Sequence, residues 1–257
     1  MLKRVLFFAY GSISYLIFLG TFLYAIGFIG NFGVPTTLDG PASGPLWGSL
    51  AIDVALLGLF AVQHSVMARP WFKRQWTRVV PKQIERSTYV LFSSLALIAL
   101  FWLWKPLGGQ IWNVADPAGV AVIRTLFAFG WGLVLVSTFL INHFDLFGLR
   151  QVWLALGNRP YTPLRFKTPG PYRLVRHPLY VGWFFAFWMT PTMTLAHLLF
   201  AVATTAYILI AIQFEERDLV REHGETYQRY RRSVPMLVPF SKRRAEPMVA
   251  PEVQAGD

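Results

Sequence analysis

The stretch VLFFAYGSISYLIFLGTFLYAIGFIG, residues 5–30, carries no charged side chain. About 20 helical residues cross a hydrocarbon core ~30 Å thick. The run is long enough to span a bilayer and too long for the apolar core of a signal peptide. No small-residue cleavage site clearly follows it, so it reads as a retained first span. Working outward, comparable runs recur at about 46–67, 89–104, 120–141 and 195–214, with Trp and Tyr near several ends as interfacial anchors. A shorter apolar run, 179–190, is closed by Pro191. At ~1.5 Å per residue it is marginal for a full crossing. With the run that follows it reads as a tight helical hairpin around 190–194, whose first arm can start inside a protein-lined cavity.

Composition agrees. The chain is 54% hydrophobic and 14% charged, against about 25% charged in soluble domains. Its formal net charge is +11. In a soluble protein that would suggest nucleic acid; here the cations sit between apolar runs and fit loops beside anionic lipid, so no nucleic-acid partner is expected. The chain has no cysteine, which excludes disulfides, thiolate metal sites and a cysteine nucleophile.

Loop charge orients the spans. Lys3 and Arg4 precede the first; no Lys or Arg follows it in 31–45. The next loop carries Arg69, Lys73, Arg74, Arg78, Lys82 and Arg86, and the one after only Lys105. Arg150, Arg159, Arg165, Lys167, Arg173 and Arg176 follow the fourth span, none lies at the hairpin tip, and the C-terminal segment is again basic. The alternation predicts both termini in the cytoplasm and an even number of crossings. The expected fold is all-α: a polytopic transmembrane helical bundle of five to six spans in a bacterial inner membrane. One domain covers 1–244, with substrate-side spans in 1–141 and a cofactor-binding half in 142–244. Residues 245–257 read as a disordered tail.

Two segments concentrate polar chemistry. In PGPYRLVRHPLYVGW, residues 169–183, Pro178 suits the first turn of a helix, where its missing N–H costs nothing. His177 then caps that helix, and Tyr180 and Gly182 lie in its first turns. Gly182 would admit a close backbone or ligand. In QFEERD, residues 213–218, Glu215 and Glu216 stand where a long apolar helix leaves the membrane. The hairpin must bring the two segments close in space. Arginine pairs with carboxylates and glutamate accepts from amines or hydroxyls, which suits a ligand carrying a carboxylate, an amine and ribose hydroxyls.

Arg176-His177-Pro178-Leu179-Tyr180-Val181-Gly182, a hairpin, and then Glu215-Glu216 resemble the cofactor half of the isoprenylcysteine carboxyl methyltransferase and phospholipid methyltransferase superfamily. The segments HSVMAR at 64–69, ERSTYVL at 85–91, NHFDLFGLR at 142–150, FWMTPTMT at 187–194 and VPMLVP at 234–239 resemble the membrane-bound methanethiol S-methyltransferases, extending the similarity over nearly the whole chain. The resemblance implies an S-adenosylmethionine-dependent enzyme that methylates methanethiol to dimethyl sulfide. It also implies a cofactor site of Tyr172, Arg173, Arg176, His177, Pro178, Tyr180, Gly182, Glu215 and Glu216.

A thiol attacks well only as thiolate, so a base is expected. His143 is one candidate, with Asp145 to orient it and Asn142 and Arg150 toward the substrate. On a continued helix, however, Asn142 and Asp145 share a face while His143 points elsewhere. His64, with Ser65 beside it, is the other; ionisable groups within spans are costly and often functional. The residues do not choose between the two histidines. Asp53 and Arg124 read as packing or water-facing, and His197 as a packed histidine at the outer tip. No His/Asp repeat has metal-site spacing, and no metal is expected. Two readings compete with thiol methylation: a methyltransferase acting on an isoprenylcysteine carboxylate or phospholipid amine, and a non-enzymatic membrane component of nitrogen-oxide metabolism. A transporter finds little support, because no ladder of intramembrane charges is present.

Overall fold

The computed structural model describes residues 1–241, and the tail expected at 245–257 lies outside them. Among the described residues, five helices are long and apolar enough to cross a membrane: α1 (Leu2–Gly30), α2 (Leu46–Ala68), α4 (Lys82–Leu103), α5 (Pro117–Ile141) and α9 (Leu195–His223). Short helices α3 (Pro70–Trp76), α6 (His143–Leu146), α7 (Leu149–Leu156) and α10 (Glu225–Ser233) lie at the end that carries the N-terminus. The architecture is an all-α polytopic bundle. Hydroxyls within the spans mostly return to their own helix: Ser14 donates to Tyr10 O, Thr21 to Ile17 O and Ser94 to Val90 O. Lipid offers no water to satisfy them otherwise.

The short arm of the hairpin is α8 (Pro178–Trp188). Its 11 residues rise only ~16 Å, yet it joins the two ends of the bundle. Beyond it, β2 (Thr192–Thr194) pairs antiparallel with β1 (Gln110–Asn113) from the α4–α5 connection, so the hairpin tip lies with that connection, opposite the N-terminus. The deficit is made up before Pro178, where the chain enters the protein as a 3-10 turn, Gly170–Arg173, and an irregular piece with Val175 and His177 buried. The arm is lodged in protein rather than lipid. It packs on α5 at glycines: a Cβ on Gly182 would stand 2.8 Å from Gly130 O, and one on Gly130 2.7 Å from Gly182 O.

The opposite end is sewn shut by Asp39, which takes Asn31, Thr194 and Nδ1 of His197. His197 is fully buried, with Nε2 2.9 Å from Phe187 O. Asp53 is buried as well and accepts from Lys105 N at 2.9 Å, a packing role for α2.

One local expectation is overturned. The helix does not continue through 142–145. Asn142 adopts φ 147°, ending α5, and its side chain accepts from Asp145 N at 3.1 Å, so it caps the separate turn α6. The break turns His143 inward, where it is 4% exposed.

Candidate active site

The corner forms where α8 begins and α9 leaves the bundle. The chain before Pro178 lies along the C-terminal segment: Arg176 N donates to Pro235 O at 2.8 Å and His177 N to Met236 O at 3.2 Å. Arg176 Nε donates to Glu216 Oε1 at 2.7 Å, and its terminal nitrogen donates to Arg231 O and Val234 O at 2.9 and 2.6 Å. His177 Nε2 lies 3.1 Å from the same Glu216 oxygen. Arg176, His177 and Glu216 are all nearly buried, and they form a lock that pins the chain after α10 against the start of α8.

Glu215 is placed differently. Its side chain is 44% exposed, and Oε2 accepts from the Tyr180 hydroxyl at 2.8 Å. Arg173 is exposed nearby, on the 3-10 turn. The Tyr172 backbone carbonyl accepts from Tyr230 at 2.6 Å. The buried hydroxyls of Tyr172, Tyr227 and Ser137 have no hydrogen-bond partner among the described residues, although Ser137 lies beside Tyr172. Burial, and then the Glu215 charge, push the Tyr172 hydroxyl up; burial raises Tyr230 to about 12. These phenols are neutral hydrogen-bond donors and acceptors, not acids, at physiological pH. An open carboxylate, an exposed guanidinium and unsatisfied hydroxyls are the groups that a nucleoside bearing an amino acid requires. Pro178 and Gly182 contribute backbone shape: one starts α8 and the other seats it on α5.

His64 adjoins this corner. Its Nδ1 is 3.1 Å from Ser93 Oγ, and the Tyr89 hydroxyl lies 3.0 Å from Nδ1 and 2.9 Å from Nε2. Ser93 spends its single proton on Tyr89 O, so it accepts from Nδ1–H, and Nε2 is the ring nitrogen left able to accept a proton. The next residue, Ser65, is 3.1 Å from the Tyr207 hydroxyl. Ser65 and Tyr207 thereby tie the helix of His64 to α9, the helix that carries Glu215.

His143 is built the same way elsewhere. Thr138 spends its proton on Leu135 O, accepts from Nδ1 at 2.9 Å, and leaves Nε2 facing Tyr15 at 2.9 Å. Phe139 stacks on the ring at 4.3 Å, with Phe18 and Phe147 alongside. Burial lowers its pKa. Asp145 does not reach it: that carboxylate takes Arg150 at 2.8 Å and Tyr161 at 3.3 Å. Asn142 and Arg150 line a cavity of about 540 Å³ together with Tyr15 and Trp153, to which α8 and α9 contribute nothing. Sequence reasoning missed Tyr89, Ser93, Tyr207 and Tyr15. Tyr89 and Ser93 stand at i,i+4 on one face of α4, and that spacing was the available signal.

No protein-family model matches the chain, and no solved structure matches it. A protein named methanethiol S-methyltransferase from Crocosphaera subtropica is 61% identical over 93% of this chain and 94% of its own. One of the same name from Mycobacterium tuberculosis is 54% identical over 94% and 99%. Nurim from Mus musculus is 34% identical over 66% of this chain and 68% of its own.

Proposed function

The chain belongs to the methanethiol S-methyltransferase family, and on that premise we propose that it methylates methanethiol to dimethyl sulfide with S-adenosylmethionine as methyl donor, at the corner between α8 and α9. The observation that carries the reading is Glu215: half-exposed, accepting from Tyr180 with His177 Nδ1 3.9 Å away, and set beside an Arg176–Glu216 pair that occupies the neighbouring guanidinium. Glu215 would accept from the ribose hydroxyls or the amine, Arg173 would meet the carboxylate, and Tyr172 would supply a buried hydroxyl. When bound, S-adenosylmethionine supplies a methyl group on a sulfonium, open to in-line attack by a thiolate.

The chain's own work is to make that thiolate in a dry place. Methanethiol is small and apolar and enters from lipid. Its proton passes to the Tyr89 oxygen as the Tyr89 proton moves to His64 Nε2, leaving an imidazolium that still donates to Ser93. The Ser65–Tyr207 hydrogen bond, which joins the helix of His64 to α9, supports His64 as base; His143 sits in a separate aromatic cage. The basic segments at one end of the bundle support an orientation with both termini in the cytoplasm, which puts the corner at the inner leaflet.

Purified protein supplied with methanethiol and S-adenosylmethionine tests the reading by headspace detection of dimethyl sulfide. Binding of the methyl donor without product would overturn the acceptor. Absence of binding would overturn the corner.

A further inference from the structure

A second cavity, of about 970 Å³, opens at the N-terminal end of the bundle. Four parts of the chain converge on it with cations: Lys3 and Arg4 from the start of α1, Lys73 from α3, Lys82 and Arg86 from the start of α4, and Arg159 after α7. Against these six stand Glu85 and Asp145, and Asp145 is already held by Arg150. None of the six cations has a carboxylate within 4 Å among the described residues. Lys73 is half-buried, and burial followed by the neighbouring Arg86 holds its ammonium below the ordinary range. Glu85 leaves most of the positive charge of this cluster uncompensated.

The position says which anion. Lys3 and Arg4 immediately precede the uncharged run of α1, and Lys82 opens α4, so the cavity lies at headgroup depth. Phe7 and Leu154 form its apolar wall, and Leu2 and Leu6 on the same first turns of α1 are exposed at 73% and 58%. Acyl chains can run down α1 while a phosphate enters the cavity, an arrangement that free phosphate cannot exploit. We propose that this cavity is a binding site for the headgroup phosphate of an anionic phospholipid, in the leaflet that faces the N-terminus.

Native mass spectrometry of the full chain, released from detergent with phosphatidylglycerol or phosphatidylcholine, tests it. Phosphatidylglycerol should be retained at least about fivefold better, and Lys73→Gln/Lys82→Gln should weaken its retention about tenfold. Lys3→Gln/Arg4→Gln, at exposed positions that leave the fold intact, should do the same. Lys105→Gln, at the opposite end, should have no effect. Equal retention of the two lipids, wild-type retention in both double variants, or displacement of phosphatidylglycerol by millimolar inorganic phosphate would overturn the site.

Discussion

The hydroxyl of Tyr89 stands 2.9 Å from Nε2 of His64, and the opposite ring nitrogen of that histidine donates to a serine whose proton is spent on a helix carbonyl. With Nδ1–H given to the serine, Nε2 is the ring nitrogen that can take a proton, and the same phenol also lies 3.0 Å from Nδ1. Tyr15, His143 and Thr138 repeat the pattern. Both histidines meet a tyrosine and a hydroxyl, and what separates them is their surroundings: His64 adjoins Ser65, which reaches Tyr207 on the helix of Glu215, and His143 sits in an aromatic cage.

That difference predicts unequal losses. His64→Gln and Tyr89→Phe should each slow single-turnover formation of dimethyl sulfide by about 10²–10⁴-fold, the usual worth of a general base. Calorimetric affinity for S-adenosylmethionine should stay unchanged in both. His143→Gln should cost less than about tenfold. The reverse order would move the base to His143 and make Tyr15 its relay.

The twin glutamates should respond differently to the same substitution. Glu216 is 9% exposed and holds Arg176, itself 10% exposed, as well as His177. Glu216→Gln strands a buried guanidinium and should destabilise the fold by about 3–5 kcal/mol. Glu215→Gln should leave thermal unfolding within about 0.5 kcal/mol of wild type. It removes a charged acceptor from the ligand side, and affinity for the methyl donor should fall by about 1.5–3 kcal/mol. Thermal unfolding in detergent and calorimetry separate the two. If Glu215→Gln binds as wild type, Glu215 does not face the ligand.

The contiguity of this corner was legible because its markers are local. A proline after His177 sets a helix start, Glu215 and Glu216 end an apolar run, and a hairpin between them leaves no freedom to separate. The long spans were legible from length alone. What was hidden depends on partners far along the chain. His143 turns inward because Asn142 takes a positive φ, and the turn is rewarded by Tyr15, 128 residues away. Asp145 looked like an orienting carboxylate beside His143, but Arg150 and Tyr161 compete for it and win on geometry. The depth of α8 was ambiguous until β1 and β2 paired, and a pairing of such short strands has no periodicity to read.

Gly182 offers a direct choice between packing and ligand contact. A methyl group there would press on Gly130 O at 2.8 Å and Val134 N at 2.9 Å, both backbone atoms, so the helices must part. Small residues facing each other are how membrane helices approach closely. Gly182→Ala should destabilise by about 1–3 kcal/mol, and Gly130→Ala, reaching the same contact from α5, should match it. Equal shifts in thermal midpoint with parallel losses of cofactor affinity fit a packing role. Loss of affinity in Gly182→Ala alone, with stability intact, would put the ligand against Gly182.

His143 makes stability depend on pH. Burial holds its folded pKa below the ordinary 6.5. In the unfolded chain the ring takes a proton as pH falls through that value, while the folded ring refuses it. Between the ordinary and the depressed pKa the unfolded state therefore binds more protons, and stability falls as pH falls. The contribution is fully present above 6.5 and declines toward the folded value. Thermal midpoints of wild type and His143→Gln, compared from pH 7.5 down to 5.5, should converge as acid removes an advantage that only the histidine possesses. A gap that stays constant across this range would mean that His143 titrates alike folded and unfolded, and that its cage of Phe139, Phe18 and Phe147 does not exclude the charged ring.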